Sequence, residues 1–433
     1  MISTCAHDLP NPITRTSDPV TPNPISILRW LREHRILNPP YYLHITQGGA
    51  EIGWQARERV IDLAGEPVNS QAWISAIKAI GDQAAIGKTK AFGYIGFDAC
   101  DSTQGFAPDR SATFPLVQFF IPEHRVVINA DQIEYQGNNP EILTSALEAA
   151  IAVPPGHLHP VLPDVEFSEQ AFTEAVVTAK SCLSEDITKV VLSRYLGFDY
   201  DADLLELFSE YCLKQKFADA ILMDFNSVGA AIASPELLIR INAGVITANP
   251  LAGTRVLGHN PEENHRIARE LLKDRKELAE HTLALLQIIR ELQPFCEAES
   301  LVVSRLLDTV EQNQVMHLSS LLSGRLKANQ HCLDATLSLF PSTMVSGVPK
   351  PQAIELLRQI EPFPRGLFGG IVGWISGQDC RFALTIRGLY KYGARLFVQA
   401  GAGVMAESDP AQESEEIRMK MSAMLEILSS NLN

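Results

Sequence analysis

Short apolar runs and amphipathic stretches alternate along the chain, which predicts a mixture of strands and helices. In the first part of the chain, strands are predicted at residues 41–46 and 91–97. A further pair of strands is predicted at 116–121 and 125–129, split by Pro122 because proline cannot donate a ladder hydrogen bond. A helix is predicted from about Ser168, a suitable N-cap, and the apolar run 189–196 predicts a buried strand.

The second half of the chain continues this mixed pattern. Helices are predicted at 203–214, 261–292, 353–360 and 410–428, and strands at 220–225, 230–233, 237–241, 370–375, 381–387 and 396–400. No repeat with a period of 20–50 residues is present. Strands cluster without strict alternation with helices, so the sequence predicts an α+β fold rather than a doubly wound sheet.

Proline marks the predicted boundaries. Residues 1–25 are predicted to be a flexible tail, because they are rich in Pro, Thr, Ser and Asp and lack the apolar core of a signal peptide. Residues 153–164 contain four prolines and form the best internal boundary. It divides one predicted domain, 26–433, into an N-terminal part, 26–165, and a core, 166–433.

Charge and composition narrow the classes of function. The formal net charge is −15 without an extended Lys/Arg block, which argues against nucleic acid and anionic membrane surfaces as partners. Seven scattered cysteines are typical of reduced thiols, and no run approaches the ~18 apolar residues of a membrane span. We therefore expect a cytoplasmic protein. A dianionic substrate would need local cations or a metal.

Two groups of acidic residues fall on single helix faces. Glu277, Glu280 and His281 occupy positions i, i+3 and i+4, and Glu413, Glu416 and Lys420 occupy i, i+3 and i+7. One interpretation is two solvated faces with ion pairs. The other is that carboxylates from both helices meet at a hard cation, for which oxygen ligands with retained water suit Mg²⁺.

Several single residues allow two interpretations. Lys189, at the start of an apolar strand, lies either at its solvated end or in a cleft where it could act as a base. Glu236, His317 and Arg387 border apolar stretches and could be structural residues. Gly401-Ala-Gly403 is predicted to be a glycine turn after a strand, and it lacks the remainder of a dinucleotide fingerprint.

Taken together and in order, ten motifs resemble those of the chorismate-binding domain shared by anthranilate, aminodeoxychorismate, isochorismate and salicylate synthases. The motifs are KVVLSR (189–194), SPE (234–236), PLAGTR (250–255), KELAEH (276–281), VMHLSS (315–320), FPSTMVSGVPK (340–350), RGLFGGIVGW (365–374), IRG (386–388), QAGAGV (399–404) and ESEEIRMK (413–420). The N-terminal part matches more loosely, most clearly at GYIGFD (93–98). The resemblance implies one large α+β unit with two stacked, intertwined antiparallel sheets flanked by helices.

The resemblance also implies roles for individual residues. Lys189 matches a water-activating lysine, Glu236 the general acid for the C4 hydroxyl of chorismate, and His317 a histidine beneath the ring carboxylate. Glu280 and Glu416 match Mg²⁺ ligands, with Glu277 and Glu413 close by. The residues that match the substrate-binding groups are Ala252, Gly253, Thr254, Met344, Phe368, Arg387, Gly401, Gly403 and Lys420. The partners implied by the resemblance are Mg²⁺ and chorismate, and we expect either a monomer or a homodimer.

At position 189, the family members that use ammonia typically carry glutamine. The lysine found here resembles the residue of the members that use water as the nucleophile. The sequences FPS…SG.PK, HLSS..SG and KE..EH look like salicylate synthases, which convert chorismate through isochorismate to salicylate and pyruvate. There are three alternatives: an isochorismate synthase, an enzyme that makes another product from chorismate, and a non-catalytic paralogue that only binds a ligand. Met344 and Phe368 depart from the usual threonine and tyrosine, so the product is less firmly implied than the family.

Overall fold

The structure is a computed structural model that describes residues 15–16, 23–61, 70–100, 114–129, 132–149, 161–215, 217–312 and 315–429. Its strands are β1 Arg15–Thr16, β2 Tyr41–Thr46, β3 Gly49–Ile61, β4 Ala91–Ile95, β5 Val117–Ile128, β6 Gln132–Gln136, β7 Val165–Glu166, β8 Lys189–Phe198, β9 Asp219–Asp224, β10 Val228–Ser234, β11 Leu237–Asn242, β12 Val245–Ala248, β13 Leu251–Val256, β14 Val302–Gln312, β15 Val315–Arg325, β16 Gly347–Val348, β17 Ile371–Ser376, β18 Asp379–Leu384, β19 Gly388–Tyr392 and β20 Arg395–Val404. Its helices are α1 Pro24–Glu33, α2 Ser70–Ile86, α3 Pro140–Ala149, α4 Glu169–Cys182, α5 Leu204–Lys214, α6 Pro261–Leu271, α7 Arg275–Leu292, α8 Cys332–Leu339, α9 Lys350–Ile360 and α10 Pro410–Ser429.

The strands form two antiparallel sheets that share β5. The first sheet runs β6–β5–β3–β2–β9–β10–β19–β20–β8. The second runs β5–β4–β17–β18–β11–β12–β15, with β13 and β14 also paired to β15. Strands from the N-terminal part therefore pair with strands from the core in both sheets, and the hydrogen-bonded ladder is continuous through β5.

The two sheets pack face to face over an aromatic core. Tyr42 of the first sheet stacks on Phe92 of the second with ring centroids 4.0 Å apart. Met223, Val372 and Tyr390 are buried in the same cluster. A larger apolar cluster buries the inner faces of the helices against the sheets. The predicted α+β fold is confirmed.

The predicted helix at 261–292 is wrong, because it is two helices. α6 ends at Leu271, and Asp274 begins α7 by accepting hydrogen bonds from the backbone N–H groups of Lys276 and Glu277. The apolar spacing continues across the break, so periodicity alone did not reveal it. The predicted N-cap at Ser168 is confirmed, since its side chain accepts a hydrogen bond from the Ala171 N–H at 3.1 Å.

Two strand predictions and one turn prediction also need correction. The segments 116–121 and 125–129 form a single strand, β5, in which Pro122 lies opposite Ala56 beside a bulge, a position at which proline is tolerated within a strand. The predicted strand 381–387 ends at Leu384, because the chain leaves the ladder and Arg387 adopts a left-handed conformation with φ 54°. Gly401 and Gly403 are not in a turn, since both lie within β20 and pair with β8.

The predicted tail lies mostly outside the described residues. Within it, Arg15–Thr16 pair with β6, and Pro24 begins α1 under an Asn23 cap. Most of the predicted boundary at 153–164 is also outside the described ranges. In the part of the chain that the structure describes, no helix is both long and apolar enough to cross a membrane.

Candidate active site

One cavity is lined by residues from all ten motifs. The predicted site residues that line it are Glu236, Ala252, Gly253, Thr254, Glu277, Glu280, His317, Met344, Phe368, Arg387, Gly401, Gly403, Glu416 and Lys420. Of the predicted set, only Lys189 and Glu413 are not in its lining. The structure thus brings together residues that lie up to 184 positions apart in the chain (from 236 to 420).

Lys189 lies directly behind this lining. It is the first residue of β8, its side chain is 1% exposed, and its Nζ is 2.8 Å from Glu280 Oε1. The interpretation of Lys189 as the solvated end of a strand is therefore wrong. A Cβ atom at Gly403 would lie 3.0 Å from Lys189 Cε and 2.7 Å from Glu280 Oε1. Glycine at position 403 is what leaves room for this ion pair.

Glu236 follows β10 through a turn in which the Ser234 hydroxyl accepts a hydrogen bond from the Glu236 N–H at 3.3 Å. Burial raises the pKa of the Glu236 carboxyl to about 8, although a hydrogen bond from the Leu251 backbone and the charges of Lys189 and Lys420 oppose the shift. The carboxyl is therefore largely protonated at neutral pH. A protonated carboxyl facing a cavity can donate a proton to a leaving group.

Three glutamates on α7 and α10 line one side of the cavity, a fourth, Glu413, lies on α10 outside this lining, and a basic side chain pairs with each. Glu280 pairs with Lys189 at 2.8 Å and Glu416 with Lys420 at 2.5 Å. Glu277 pairs with Arg255 at 2.8 Å, and Glu413 pairs with Lys276 at 2.7 Å. The ion pairs of the first interpretation are therefore present, but Glu277 and Glu413 are buried, so the two faces are not simply solvated. Glu413 lines an adjoining cavity, which shares Glu416 and Lys420 with the first.

Burial and mutual repulsion shift the acidity of these glutamates. Burial, reinforced by the charge of Glu280, raises the pKa of Glu277. Burial and the charge of Glu416 likewise raise the pKa of Glu413. Burial also opposes ionisation of Glu416, but Lys420, Lys276 and Arg387 outweigh it and hold the pKa of Glu416 below its usual value. Negative charge is thus crowded here, and an added cation would relieve the repulsion.

The donor set of this side of the cavity fits Mg²⁺. All four candidate ligands are carboxylates, which suit a hard cation. Gly253, with φ 76°, brings the backbone close to Glu277, since a Cβ there would lie 3.2 Å from Glu277 Oε2. Among the residues described, no three acidic, histidine or cysteine side chains already converge on one point. Mg²⁺ commonly takes only one or two protein carboxylates and keeps several waters, so a pair such as Glu280 and Glu416 suffices.

Another part of the cavity is lined by positively charged side chains, which suit the binding of an anionic group. Arg387 is held in its left-handed conformation because its carbonyl accepts hydrogen bonds from the Tyr211 hydroxyl at 2.9 Å and the Ala233 N–H at 3.1 Å. Within the described ranges, the Arg387 guanidinium forms no ion pair. Lys420 Nζ donates to the Gly401 carbonyl at 2.8 Å. Two cationic groups can therefore hold one carboxylate.

His317 is an uncharged member of the site. Burial, with the charges of Arg387 and Lys420, lowers its pKa to about 3. Its Nδ1 lies 3.1 Å from the Thr254 hydroxyl, which fixes the ring between β13 and β15. A neutral imidazole can offer a hydrogen bond to a bound carboxylate without adding positive charge.

Six residues of the cavity lining are not among the site residues predicted from the sequence. The further residues that line the cavity are Val191, Pro235, Leu251, Val345, Ile386 and Ala400. Most are apolar members of the quoted motifs, and nothing in an apolar residue type distinguishes a cavity wall from a core. Arg255 and Lys276 also lie within motifs, but their pairing with site glutamates required two elements distant in the chain to meet.

Comparisons with known proteins agree with this geometry. A family profile described as "chorismate binding enzyme" matches residues 38–426. The chain is 35% identical over 261 residues to anthranilate synthase component 1 of Streptomyces coelicolor, which covers 60% of this chain and 51% of that protein. It is 28% identical over 349 residues to the salicylate synthase of Mycolicibacterium paratuberculosis, covering 79% and 77% of the two chains. The chain spans only about half the length of the anthranilate synthase components that it matches.

Solved structures show the same fold. A Bacillus anthracis protein that has been assigned as a 2,3-dihydroxybenzoate-specific isochorismate synthase superimposes with a TM-score of 0.71 at 25% identity, covering 90% of this chain and 96% of that one. The menaquinone-specific isochorismate synthase of Escherichia coli gives a TM-score of 0.75 at 19% identity, covering 98% and 96%. The match of the family profile over most of the chain identifies this protein as a member of the chorismate-binding enzyme family.

Proposed function

We propose that this protein is a magnesium-dependent salicylate synthase that converts chorismate through isochorismate to salicylate and pyruvate. The observation that carries the proposal is a buried glutamic acid, Glu236, with a pKa of about 8, which lines the same cavity as Glu280, the partner of the buried Lys189. An acid and a candidate base close together suit a reaction that adds water at one ring carbon and expels hydroxide at another.

The substrate is a dianion, and the site offers two kinds of charge to receive it. Arg387 and Lys420 would hold the enolpyruvyl carboxylate, and His317 would donate a hydrogen bond to the ring carboxylate. Glu280 and Glu416 would hold Mg²⁺, with Glu277 and Glu413 beside them. When bound, the ion supplies positive charge to the ring carboxylate.

The residues of the chain then account for the proton transfers. In its neutral form, the Lys189 amine would take a proton from the water that attacks C2 and become an ammonium beside Glu280, and Glu236 would give its proton to the hydroxyl that leaves C4. The product is isochorismate, and water is neither gained nor lost overall. Elimination of pyruvate then needs mainly a fixed substrate conformation, since the hydrogen passes within the substrate itself.

Isochorismate synthase, without the elimination step, is the second candidate. The observation that favours it is Phe368, whose ring lines the cavity but carries no hydroxyl to contact a bound carboxylate. Incubation of the purified protein with chorismate and Mg²⁺, followed by chromatography, distinguishes the candidates. Salicylate with pyruvate supports the proposal, and isochorismate alone supports the alternative. An aminated product or no turnover contradicts both.

Substitution of Phe368 by tyrosine is expected to increase the fraction of product released as salicylate. A Cβ atom at Gly401 would lie 3.3 Å from Phe368 Cζ, so a hydroxyl on that carbon would extend alongside Gly401, near the lysine bound to its carbonyl. There it could hold the enolpyruvyl carboxylate for elimination. The measurement is the molar ratio of salicylate to isochorismate at fixed turnover. The matched control is Phe363→Tyr, which changes an aromatic residue outside this cavity. An unchanged ratio would show that residue 368 does not set the product.

Substitution of Glu416 by glutamine is expected to raise the Mg²⁺ concentration needed for half-maximal activity by about tenfold or more, because one anionic ligand is lost. The control is Glu415→Gln on the same helix, where the carboxylate is exposed and pairs with Arg418. Titration of activity with Mg²⁺, and calorimetric titration of the ion in the presence of chorismate, are the measurements. Equal Mg²⁺ dependence in the two variants would remove Glu416 from the metal site.

A further inference from the structure

A buried ion pair outside the cavity lining connects two of its walls. Glu361 directly follows α9, and Arg365 lies four residues later; their side chains are 5% and 2% exposed. The guanidinium contacts the carboxylate through two bonds, Nε to Oε2 at 2.8 Å and Nη2 to Oε1 at 2.7 Å. We call these two side chains the buried fork.

The fork occupies a gap along one edge of β8. On that edge, β16 pairs with Lys189 and Val190, and β7 pairs with Leu196 and Gly197. Between these two short pairings, the Ser193 N–H donates to Glu361 Oε1 at 2.7 Å, and the Val191 carbonyl accepts from Arg365 Nη2 at 2.5 Å. The carboxylate and the guanidinium therefore satisfy β8 in the way that a neighbouring strand would.

The same guanidinium also holds the loop on the other side. Arg365 Nη1 donates to the Val345 carbonyl at 2.5 Å. Val345 follows Met344, and both line the cavity, as does Val191, which projects from the same face of β8 as Lys189. One planar group thus sets the spacing between the strand that carries Lys189 and the loop that carries Met344.

Neighbouring side chains hold the fork in place. The Ser193 hydroxyl donates to Glu361 Oε1 at 3.0 Å and accepts from Gln399 Nε2 at 2.9 Å. The Arg365 guanidinium lies over the Phe97 ring, 4.5 Å from its centroid. Four of the five N–H donors of Arg365 are used, and its orientation is fixed by acceptors from three segments of the chain.

We infer that Arg365, oriented by Glu361, is a positioning residue that places Lys189 and Met344 relative to the bound ring. The inference rests on the proposed function. It assigns the fork to the chemical step rather than to substrate binding, because Arg387 and Lys420 lie on other elements and the fork has no bond to either. Lysine cannot replace Arg365 here, since a single ammonium cannot reach a carboxylate and two divergent carbonyls in one plane.

The test compares Arg365→Lys with Arg29→Lys. Arg29 forms an equally buried pair with Glu206, at 2.7 Å, which joins α1 to α5, and neither residue lines the cavity. We expect similar losses of melting temperature in the two variants. We expect kcat to fall about 10- to 100-fold in Arg365→Lys alone, with KM for chorismate within about twofold of wild type. The ratio of salicylate to isochorismate is expected to change in the same variant only.

The outcomes are distinguishable from failure of the proposed function. If the wild-type protein forms neither product from chorismate, the proposed function is wrong. If the wild type is active and the two variants lose kcat equally, or Arg365→Lys loses none, the positioning role is wrong. Should Arg365→Lys not fold, Ser193→Ala removes only one hydroxyl from the same network. It is expected to lower kcat about threefold or more without changing KM. An unchanged kcat in a folded Ser193→Ala protein then overturns the inference.

Discussion

Substitution of Lys189 by glutamine is expected to lower kcat for chorismate turnover by about 10²- to 10⁴-fold, the usual contribution of a general base. Glutamine approximates the length of the side chain but cannot take a proton from water. Lys189 Nζ makes no well-oriented hydrogen bond within the described structure, although it lies 2.8 Å from Glu280, so its loss leaves few other bonds unmade. The measurement is steady-state formation of isochorismate and salicylate at saturating Mg²⁺.

Lys350 provides the matched control for this substitution. It is also a buried lysine, paired with Glu291 at 2.9 Å, and it lies outside the cavity lining. Lys350→Gln is therefore expected to reduce the stability of the fold without a comparable loss of kcat. Full activity in Lys189→Gln would contradict the proposed mechanism, even though membership of the family would stand.

Substitution of Glu236 by glutamine is expected to reduce kcat by a similar factor, about 10²- to 10⁴-fold, because an amide cannot protonate the leaving hydroxide. In the wild type, the acid form is the active one. Activity of the free enzyme should therefore fall as pH rises through about 8, the pKa of Glu236. The measurement is kcat/KM across this pH range, with Glu206→Gln as a buried glutamate substituted away from the site. A pH profile without this limb would remove Glu236 from the acid role.

The same substitution is expected to stabilise the protein above acidic pH. The pKa of Glu236 is about 8 when folded and about 4.3 when unfolded, so the folded state retains a proton that the unfolded state has lost. The contribution of Glu236 to the free energy of unfolding is therefore complete below about pH 4 and declines as the pH rises to about 8. The Glu236→Gln protein does not lose this contribution. Its free energy of unfolding is therefore expected to exceed that of the wild type by on the order of a few kcal/mol near pH 8. Denaturant unfolding at pH 5 and pH 8 should show an advantage that grows with pH.

The sequence predicted which residues belong to the site better than it predicted the local backbone structure around them. Glu277, Glu280, Glu413 and Glu416 were grouped by helical spacing alone, because a helix fixes which residues share a face. The same spacing failed to show the break between α6 and α7, because Asp274 caps a helix through a local hydrogen bond that leaves the apolar pattern undisturbed. The sequence predicts a turn at Gly401 and Gly403, since glycine is common in turns. In the sheet they instead leave space for Phe368, Lys189 and Glu280.

The sequence by itself determined the fold class, the family resemblance and the identity of most residues that line the cavity. These follow from residue type and local spacing, which the chain carries without reference to its partners in space. Only the tertiary structure decided that Lys189 is buried against Glu280, that burial raises the pKa of Glu236, and that Arg365 connects β8 to the Val345 loop. Each depends on groups more than 10 residues apart meeting in an environment of low polarity, and solvation and distance are properties of the folded chain alone.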